Sequence, residues 1–246
     1  MHKQLLTSAA ALALSAGVAF AADLPTHKAP PPPPTPAPYS WTGFYIGGEL
    51  GYGWGEESDT LSALTGYPLD HFGVSGLKGG IKGGYNQQFN NNFVLGVEAD
   101  LEASGISGKK GTTFQNEGTG VSSLSLHNTW QSSLRARFGL AFDRLLVYGT
   151  GGLAIADDRE SPYIYDPGST PYPYIVTGAE TKTLYGWTIG AGAEYAIDPH
   201  WSLSAELRYA DFGKVHYTAI NNIPQVGTYS AGFDETLAQL GLAYHF

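Results

Sequence analysis

The residues best suited to catalysis form one serine–histidine–carboxylate set. His127 would act as the base, Ser125 or Ser133 as the nucleophile, and an acid such as Glu98 would orient the imidazole. However, Ser125 and His127 stand two residues apart in an alternating run, so any strand would place them together on its polar face. The sequence around these serines lacks the strand–turn–helix motif that exposes a nucleophile. We therefore do not expect this protein to be an enzyme.

Metal-binding residues are also few. Glu98, Asp100 and Glu102 alternate and offer the oxygens that calcium prefers. Arg135 and Arg137 alternate in a later run, which favours an ion-pair network over a calcium site. The histidines share no ligand spacing: His71, His127, His216 and His245. The chain has no cysteine and therefore neither thiolate ligands nor disulfides. We expect no cofactor and no metal.

The composition is unusual for a water-soluble domain. The 246 residues include 33 Gly, 16 Tyr, 11 Phe and 5 Trp, and the formal net charge is −9. An acidic chain argues against nucleic acid, whose phosphates would repel it. The mean hydropathy of −0.15 does not exclude a membrane barrel, because such a barrel alternates lipid-facing residues with polar lumen-facing ones.

The amino-terminal region divides into two segments before the main domain. Residues 1–21 have the basic start, the Ala/Leu-rich run and the Ala19-Phe20-Ala21 cleavage site of a signal peptide. Residues 22–40 contain the run Pro30 to Pro34 and predict an extended periplasmic linker. Residues 41–246 form the remaining domain.

That domain alternates apolar and polar residues with a period of two, which excludes amphipathic helices. In the clearest run, Phe93, Leu95 and Val97 face one way while Glu98 and Asp100 face the other. Each run provides the ~9–11 residues with which a tilted strand crosses a bilayer. The eight runs are Gly43–Trp54, Leu77–Phe89, Phe93–Ala103, Leu124–Phe142, Leu145–Ile155, Thr183–Tyr195, Trp201–Tyr209 and Leu237–Phe246.

The connections between these runs alternate strictly between long and short. The short ones are the turn-forming segments Asn90–Asn92, Asp143–Arg144 and Ile197–His200. The long ones are Gly55–Gly76, Ser104–Ser123, Asp157–Thr181 and Gly213–Asp234. Bacterial membrane barrels have short periplasmic turns and long external loops. The sequence therefore predicts an all-β, eight-stranded, antiparallel, up-and-down transmembrane β-barrel with its amino terminus in the periplasm.

The two faces of the runs indicate which side meets lipid. The polar face combines Gly and Ser with a nearly balanced set of charges, as expected for a lumen only wide enough for side chains. This predicted lumen network is Glu49, Lys78, Lys82, Glu98, Asp100, Glu102, Arg135, Arg137, Glu194, Glu206 and Arg208. Aromatic residues concentrate near the two ends of the runs and predict two interfacial girdles. Cross-strand aromatic packing in a soluble sheet is the alternative. The periplasmic girdle would be Trp41, Phe89, Phe93, Phe142, Trp201, Tyr244 and Phe246, and the outer one Tyr52, Trp54, Trp130, Tyr185, Trp187 and Tyr209.

Several motifs give the chain a family resemblance. They are Ala22-Asp23-Leu24-Pro25, Trp41 to Gly48 (WTGFYIGG), Phe93 to Asp100 (FVLGVEAD), Leu134 to Phe142, Tyr148 to Ala154, Gly186 to Tyr195 (GWTIGAGAEY) and the ending Leu240 to Phe246. The chain resembles the small porin-family outer-membrane proteins of alphaproteobacteria, relatives of the OmpA-like and opacity-type eight-stranded barrels. The resemblance covers the mature chain except its four long loops.

The resemblance implies location in the Gram-negative cell outer membrane. It makes Leu240, Leu242, Tyr244 and Phe246 the assembly signal, with the barrel-assembly machinery, periplasmic chaperones, membrane lipid and lipopolysaccharide as partners and no nucleic acid. The favoured function is a structural role in envelope integrity, with surface loops available for adhesion or for host or phage contact. The alternative is a narrow porin for small solutes, and a lipid A-modifying enzyme is the least favoured of the three functions. The sequence does not identify the loop ligands.

Overall fold

The fold is built entirely from antiparallel strands. The computed structural model describes residues 38–59, 71–115, 119–168, 174–177, 179–221 and 227–246, so the segments 1–21 and 22–37 of the signal peptide and linker lie outside the described residues. The strands are β1 Gly43–Asp59, β2 His71–Gln88, β3 Phe93–Ser104, β4 Ser107–Gln115, β5 Thr119–His127, β6 Trp130–Phe142, β7 Leu145–Asp166, β8 Tyr174–Thr177, β9 Glu180–Ala196, β10 Trp201–Asn221 and β11 Gly227–His245.

Eight of these strands close into a ring. The order of neighbours is β1-β2-β3-β6-β7-β9-β10-β11, and β11 pairs again with β1 from Tyr45–His245 to Asp59–Ala231. The hairpin of β4 and β5 continues the wall above β3 and β6 by pairing with β2 and β7. Closure pairs the backbone groups of the first and last strands, which could not face hydrocarbon unpaired. The predicted eight-stranded antiparallel barrel is confirmed.

The short turns stand where the sequence predicts them. Asn92 and Asp143 adopt positive φ angles of 63° and 54°, which Asn and Asp tolerate better than other non-glycine residues. In the third turn, the Asp198 carboxylate accepts bonds of 2.8 Å from the backbone N–H groups of His200 and Trp201. These two donors hold the pKa of Asp198 below its usual value. No helix in the described part of the chain is long and apolar enough to cross a membrane.

The predicted long loops are the main error of the sequence analysis. β1 continues to Asp59, β7 to Asp166 and β10 to Asn221, and all of β4 and the first half of β5 lie within a predicted loop. Strands of 17 to 22 residues are longer than the ~9–11 needed to cross the bilayer, so the barrel wall extends beyond the outer interface.

The strand segments beyond the outer interface were not predicted, because their apolar side chains point into the barrel and their polar ones point outward. Within the membrane, Leu77 and Ile81 of β2 face outward and Lys78 faces inward. Higher on the same strand, Phe72 and Val74 are buried inside, while Gly73 and Ser75 lie outside. A wall in water buries apolar residues, whereas a wall in lipid exposes them. The lipid-facing alternation therefore stops where the strand leaves the membrane, and a strand predicted from that alternation is too short.

The fourth predicted run is two strands, not one. Leu124 and Leu126 are buried inside, yet Trp130 and Leu134 face outward, so the side-chain alternation shifts by one residue between β5 and β6. Asp157 of β7 supports this break: its Oδ1 accepts bonds of 2.9 Å from the backbone N–H groups of Thr129 and Trp130. Asp157 thus pairs donors that the interrupted ladder would leave unbonded at the membrane interface.

We predict that Asp157→Ala destabilises the folded barrel by about 1–3 kcal/mol, because two partly buried backbone donors lose a charged acceptor. Asp157→Asn keeps one amide oxygen and should lose less. Urea unfolding of the refolded protein in detergent micelles measures both. Equal midpoints for the wild type and Asp157→Ala would show that water replaces the carboxylate without cost.

Candidate functional site

The described interior of the barrel contains three layers, together with the buried acids Glu57, Asp158 and Glu160. All eleven charged residues predicted to lie in the lumen are buried inside it, and they occupy the middle layer. We call this layer the lumen network. An apolar layer lies on its outer side and an aromatic cluster on its periplasmic side. The interior is therefore the candidate functional site, since its filling decides whether anything can pass.

Arg135 of β6 is the central cation of the lumen network. Its Nη2 lies 2.5 Å from Glu98 Oε1 and 3.1 Å from Asp100 Oδ2, and its Nη1 pairs with Glu206 on β10. Glu98 is the direct cross-strand neighbour of Arg135 on β3. A guanidinium presents several donors in a fixed plane, which suits a site where carboxylates approach from different sides. One arginine therefore ties β6 to β3 and to β10.

Arg208 of β10 closes the network across the full width of the barrel. Its Nη1 lies 3.1 Å from Asp100 Oδ2, and its Nη2 pairs with Glu102. Both acids belong to β3, which is separated from β10 by three ring strands in either direction. These ion pairs join opposite walls of the barrel at the level of the lumen network.

Two lysines of β2 complete the middle layer. Lys78 Nζ lies 3.2 Å from Glu102 and 2.8 Å from Glu235, and it donates to Gln131. Lys82 Nζ lies 3.1 Å from Ser204 Oγ and 3.8 Å from Glu49.

The lumen network also includes residues beyond the eleven predicted ones. Glu235 is fully buried and paired, but it lies just before the last predicted run and was assigned to a loop boundary. Extending that run by two residues places Glu235 on the inward face shared by Leu237 and Gln239. Gln239 donates to Glu49 at 3.1 Å. Tyr45 and Tyr148 also point inward. The only sequence signal for them is their position on the polar face of the period-two alternation.

The two inward tyrosines bracket Arg137. The Arg137 guanidinium stacks 3.8 Å from the centre of the Tyr148 ring and pairs with Glu194. Tyr45 donates to Glu98 at 2.7 Å, and Tyr148 donates to Glu206 at 3.0 Å. These contacts combine cation–π attraction with hydrogen bonds to carboxylates. They join the lumen network to the cluster on its periplasmic side.

Glycines on the inward face provide the space for these long side chains. A Cβ atom at Gly84 would lie 2.6 Å from the Tyr45 hydroxyl oxygen. A Cβ atom at Gly241 would lie 2.9 Å from Lys82 Nζ. Both separations are shorter than non-bonded atoms allow, so a side chain there would displace the network.

An apolar layer lies on the outer side of the lumen network. On β2, β9, β10 and β11 these residues lie on the loop side of the charged positions, and Phe212 and Phe233 stack with ring centres 5.6 Å apart. Its members are Phe72, Val74, Ile106, Leu124, Leu126, Ala154, Ala156, Leu184, Ala210, Phe212 and Phe233. This layer is the core of the extended wall.

Trp41 lies inside the barrel at its periplasmic mouth, which corrects its assignment to the girdle. Trp41 is 0% exposed and packs inside the barrel with Tyr39, Val94, Ala141, Leu146, Tyr148 and Ala196, which we call the mouth cluster. Its indole Nε1–H donates to the Asp143 carbonyl at 3.1 Å, and its backbone N–H donates to Gln88 at 2.9 Å. Burial beside Trp41 raises the pKa of Tyr39 to about 12. The segment before β1 thus turns into the lumen.

The residues considered for catalysis do not come together. Ser125 and His127 lie outside the extended wall, whereas Ser133 and Glu98 are buried in the lumen. Ser133 donates to Asp100 at 2.5 Å instead. The shift of alternation between β5 and β6 separates them, because it puts the two strands' odd positions on opposite faces. The structure therefore does not bring together the serine–histidine–carboxylate set that the sequence already disfavoured.

Two groups of buried acids bring carboxylate oxygens within 4.8 Å of one another: Glu49, Asp100 and Glu102, and Glu57, Asp158 and Glu160. In the first group, Arg208 and Lys78 already pair with Asp100 and Glu102. The calcium set considered from the sequence, Glu98, Asp100 and Glu102, instead contacts Arg135 and Arg208. These arginines supply the positive charge that a bound cation would otherwise provide.

The outer wall carries the apolar residues that the period of two assigns to lipid. Leu50, Leu134, Leu153 and Leu207 are more than half exposed. The last strand turns Leu240, Leu242 and Phe246 outward, with Phe246 77% exposed. Apart from Trp41, large aromatics at both strand ends lie on this outer face, including Trp54, Trp130, Trp187 and Trp201.

The sequence comparisons agree with this geometry. The model of the outer membrane protein beta-barrel domain matches residues 7–246. The 31 kDa outer-membrane immunogenic protein of Brucella melitensis is 35% identical over 233 residues, covering 90% of this chain and 92% of the relative. The 22 kDa outer membrane protein of Rhizobium leguminosarum bv. viciae is 30% identical over 207 residues, covering 84% and 79%.

Among solved structures, Neisserial surface protein A matches with a TM-score of 0.40 and 16% identity, covering 83% of this chain and 98% of that one. The family assignment rests on the domain match and on the Brucella and Rhizobium relatives, which also establish the location. The chain is an outer-membrane protein and belongs to the family that shares this β-barrel domain.

Proposed function

We propose that this protein is a closed structural barrel that supports envelope integrity and has no enzymatic role. The observation that carries the proposal is the ion pair between Arg208 and Asp100, which joins opposite walls of the lumen. A pore needs a continuous aqueous path, whereas here charged side chains, an apolar layer and Trp41 succeed one another along the axis.

The narrow porin is the weaker alternative for the same reason. Opening the middle layer would separate buried carboxylates from arginines, and breaking a buried pair costs roughly 3–5 kcal/mol. The residues considered for a lipid A-modifying activity do not support it, since Ser125 and His127 lie outside the wall while Ser133 and Glu98 are buried in the lumen. The wall beyond the membrane offers a surface for contact with host, phage or neighbouring cells. The names of the Brucella relatives, which describe them as immunogenic, support such exposure.

A deletion strain tests the structural role. We expect loss of the gene to raise sensitivity to bile-salt detergents and to large antibiotics that an intact outer membrane excludes. Growth on limiting concentrations of small sugars and amino acids should not change, and the lipid A mass spectrum should stay the same. Restoring the wild-type gene provides the control. A defect confined to uptake of small solutes would instead support the porin, and an altered lipid A would support the enzyme.

A further inference from the structure

Positive charge collects on one side of the outer wall above the membrane. Lys109 of β4, His127 of β5 and Arg159 of β7 are all exposed and face outward. His127 lies directly opposite Arg159, and it lies opposite Ser107, two residues before Lys109. We call these three residues the basic patch. Three cationic or proton-binding side chains thus share one small area of three adjacent strands.

The patch is not neutralised by neighbouring acids. Lys109 and Arg159 form no ion pair with any residue in the described ranges. Asp157 is the outward carboxylate closest in sequence to Arg159, but it is buried and bonded to the N–H groups of Thr129 and Trp130. The next residues of β7, Asp158 and Glu160, point inward. The patch therefore presents its charge to an external anion.

The position of the basic patch relative to the membrane surface indicates which anion it could bind. Trp130, an outer-girdle residue, follows His127 by three positions on the same side of the barrel. Interfacial tryptophans mark the headgroup level of a membrane, so the patch lies just outside that level. At this height on the opposite side, Asp234 lies directly across from both Glu56 and Asp211, so the charge around the wall is strongly asymmetric.

We propose that the basic patch binds the phosphate groups of lipid A, the glycolipid of the outer leaflet. Arg159 offers a planar fork that matches phosphate oxygens, and Lys109 adds a mobile point charge. His127 adds a ring N–H donor between them. The bound acyl chains would lie along the apolar wall below. This inference rests on the outer-membrane location, and it holds whether or not the lumen conducts.

Binding of purified lipid A to the refolded full chain in mixed micelles tests the proposal, with native mass spectrometry as the readout. We expect the wild type to prefer bisphosphorylated lipid A over the fully dephosphorylated form. Because each cation near an anionic headgroup contributes about 1 kcal/mol, the double variant Lys109→Ser/Arg159→Ser should bind the phosphorylated form about 10- to 30-fold more weakly.

The matched control is Lys214→Ser, which removes an exposed outward cation on β10, away from the patch. It should leave the phosphate preference unchanged. A gel-mobility shift on boiling confirms that each variant is folded. Equal affinity of the wild type and the double variant, or equal binding of phosphorylated and dephosphorylated lipid A by the wild type, would overturn the proposal. Neither result bears on the closed lumen, which conductance and permeability test separately.

Discussion

Replacing Arg135 with Ala should lower the free energy of unfolding by roughly 3–5 kcal/mol, because the guanidinium is buried and its removal leaves three carboxylates without their shared partner. Those acids are Glu98, Asp100 and Glu206, and the Arg135 side chain is 0% exposed. Equilibrium unfolding in urea, with the protein in detergent micelles, gives the value. A midpoint equal to that of the wild type would show that water solvates the acids and that the lumen is open.

Two further variants separate charge from packing at this position. Arg135→Ala/Glu206→Gln removes one unpaired charge and should recover part of the loss, whereas a purely steric effect would not be recovered. Arg144→Ala is the matched control, because Arg144 is exposed in a periplasmic turn and its guanidinium donates to the Ile197 carbonyl at 3.0 Å. An exposed substitution of this kind should change stability by less than about 0.5 kcal/mol.

Trp41→Ala should have a similarly large effect, about 3–5 kcal/mol, through the cavity left in the mouth cluster. Trp41 is fully buried, stacks edge-on against His245 with ring centres 5.7 Å apart, and hydrogen-bonds the turn at Asp143. It therefore joins the segment before β1 to the end of β11. Urea unfolding again measures the loss.

The control for Trp41 is a tryptophan at the same end of the barrel but on the outside. Trp201 is 42% exposed, so Trp201→Ala should cost clearly less than Trp41→Ala. Trp41→Phe should lie between Trp41→Ala and the wild type, because it retains an aromatic ring but loses the indole donor. Equal losses for Trp41→Ala and Trp201→Ala would mean that Trp41 behaves as a girdle residue and does not close the mouth.

Sequence reasoning succeeded wherever one physical rule covered the whole strand. Within the bilayer, the period of two separates Leu134 from Arg135 because lipid and lumen lie on opposite sides of a single wall. The turn at Asp143 was predictable because few residues adopt positive φ at low cost. The inward position of the eleven charged residues follows from the same alternation.

The same reasoning failed where the environment changes along a strand. Leu124 and Leu126 look like lipid-facing residues, yet they lie inside a wall that has already left the membrane. No local pattern marks that level, and the shift of alternation at Asn128–Thr129 depends on Asp157 from another strand. Trp41 resembles a girdle aromatic for a related reason. Its inward turn depends on contacts with Asp143 and Gln88, which are distant in sequence.

Single-channel recording of the refolded protein in planar lipid bilayers tests the closed lumen most directly. The ion pairs that cross the barrel from Arg208 to Asp100 and from Arg135 to Glu206 predict no conductance steps above the lipid background. A general porin refolded and inserted by the same protocol shows that insertion is detected. Reproducible steps of uniform size from the wild-type protein would contradict a closed lumen and would favour the narrow porin.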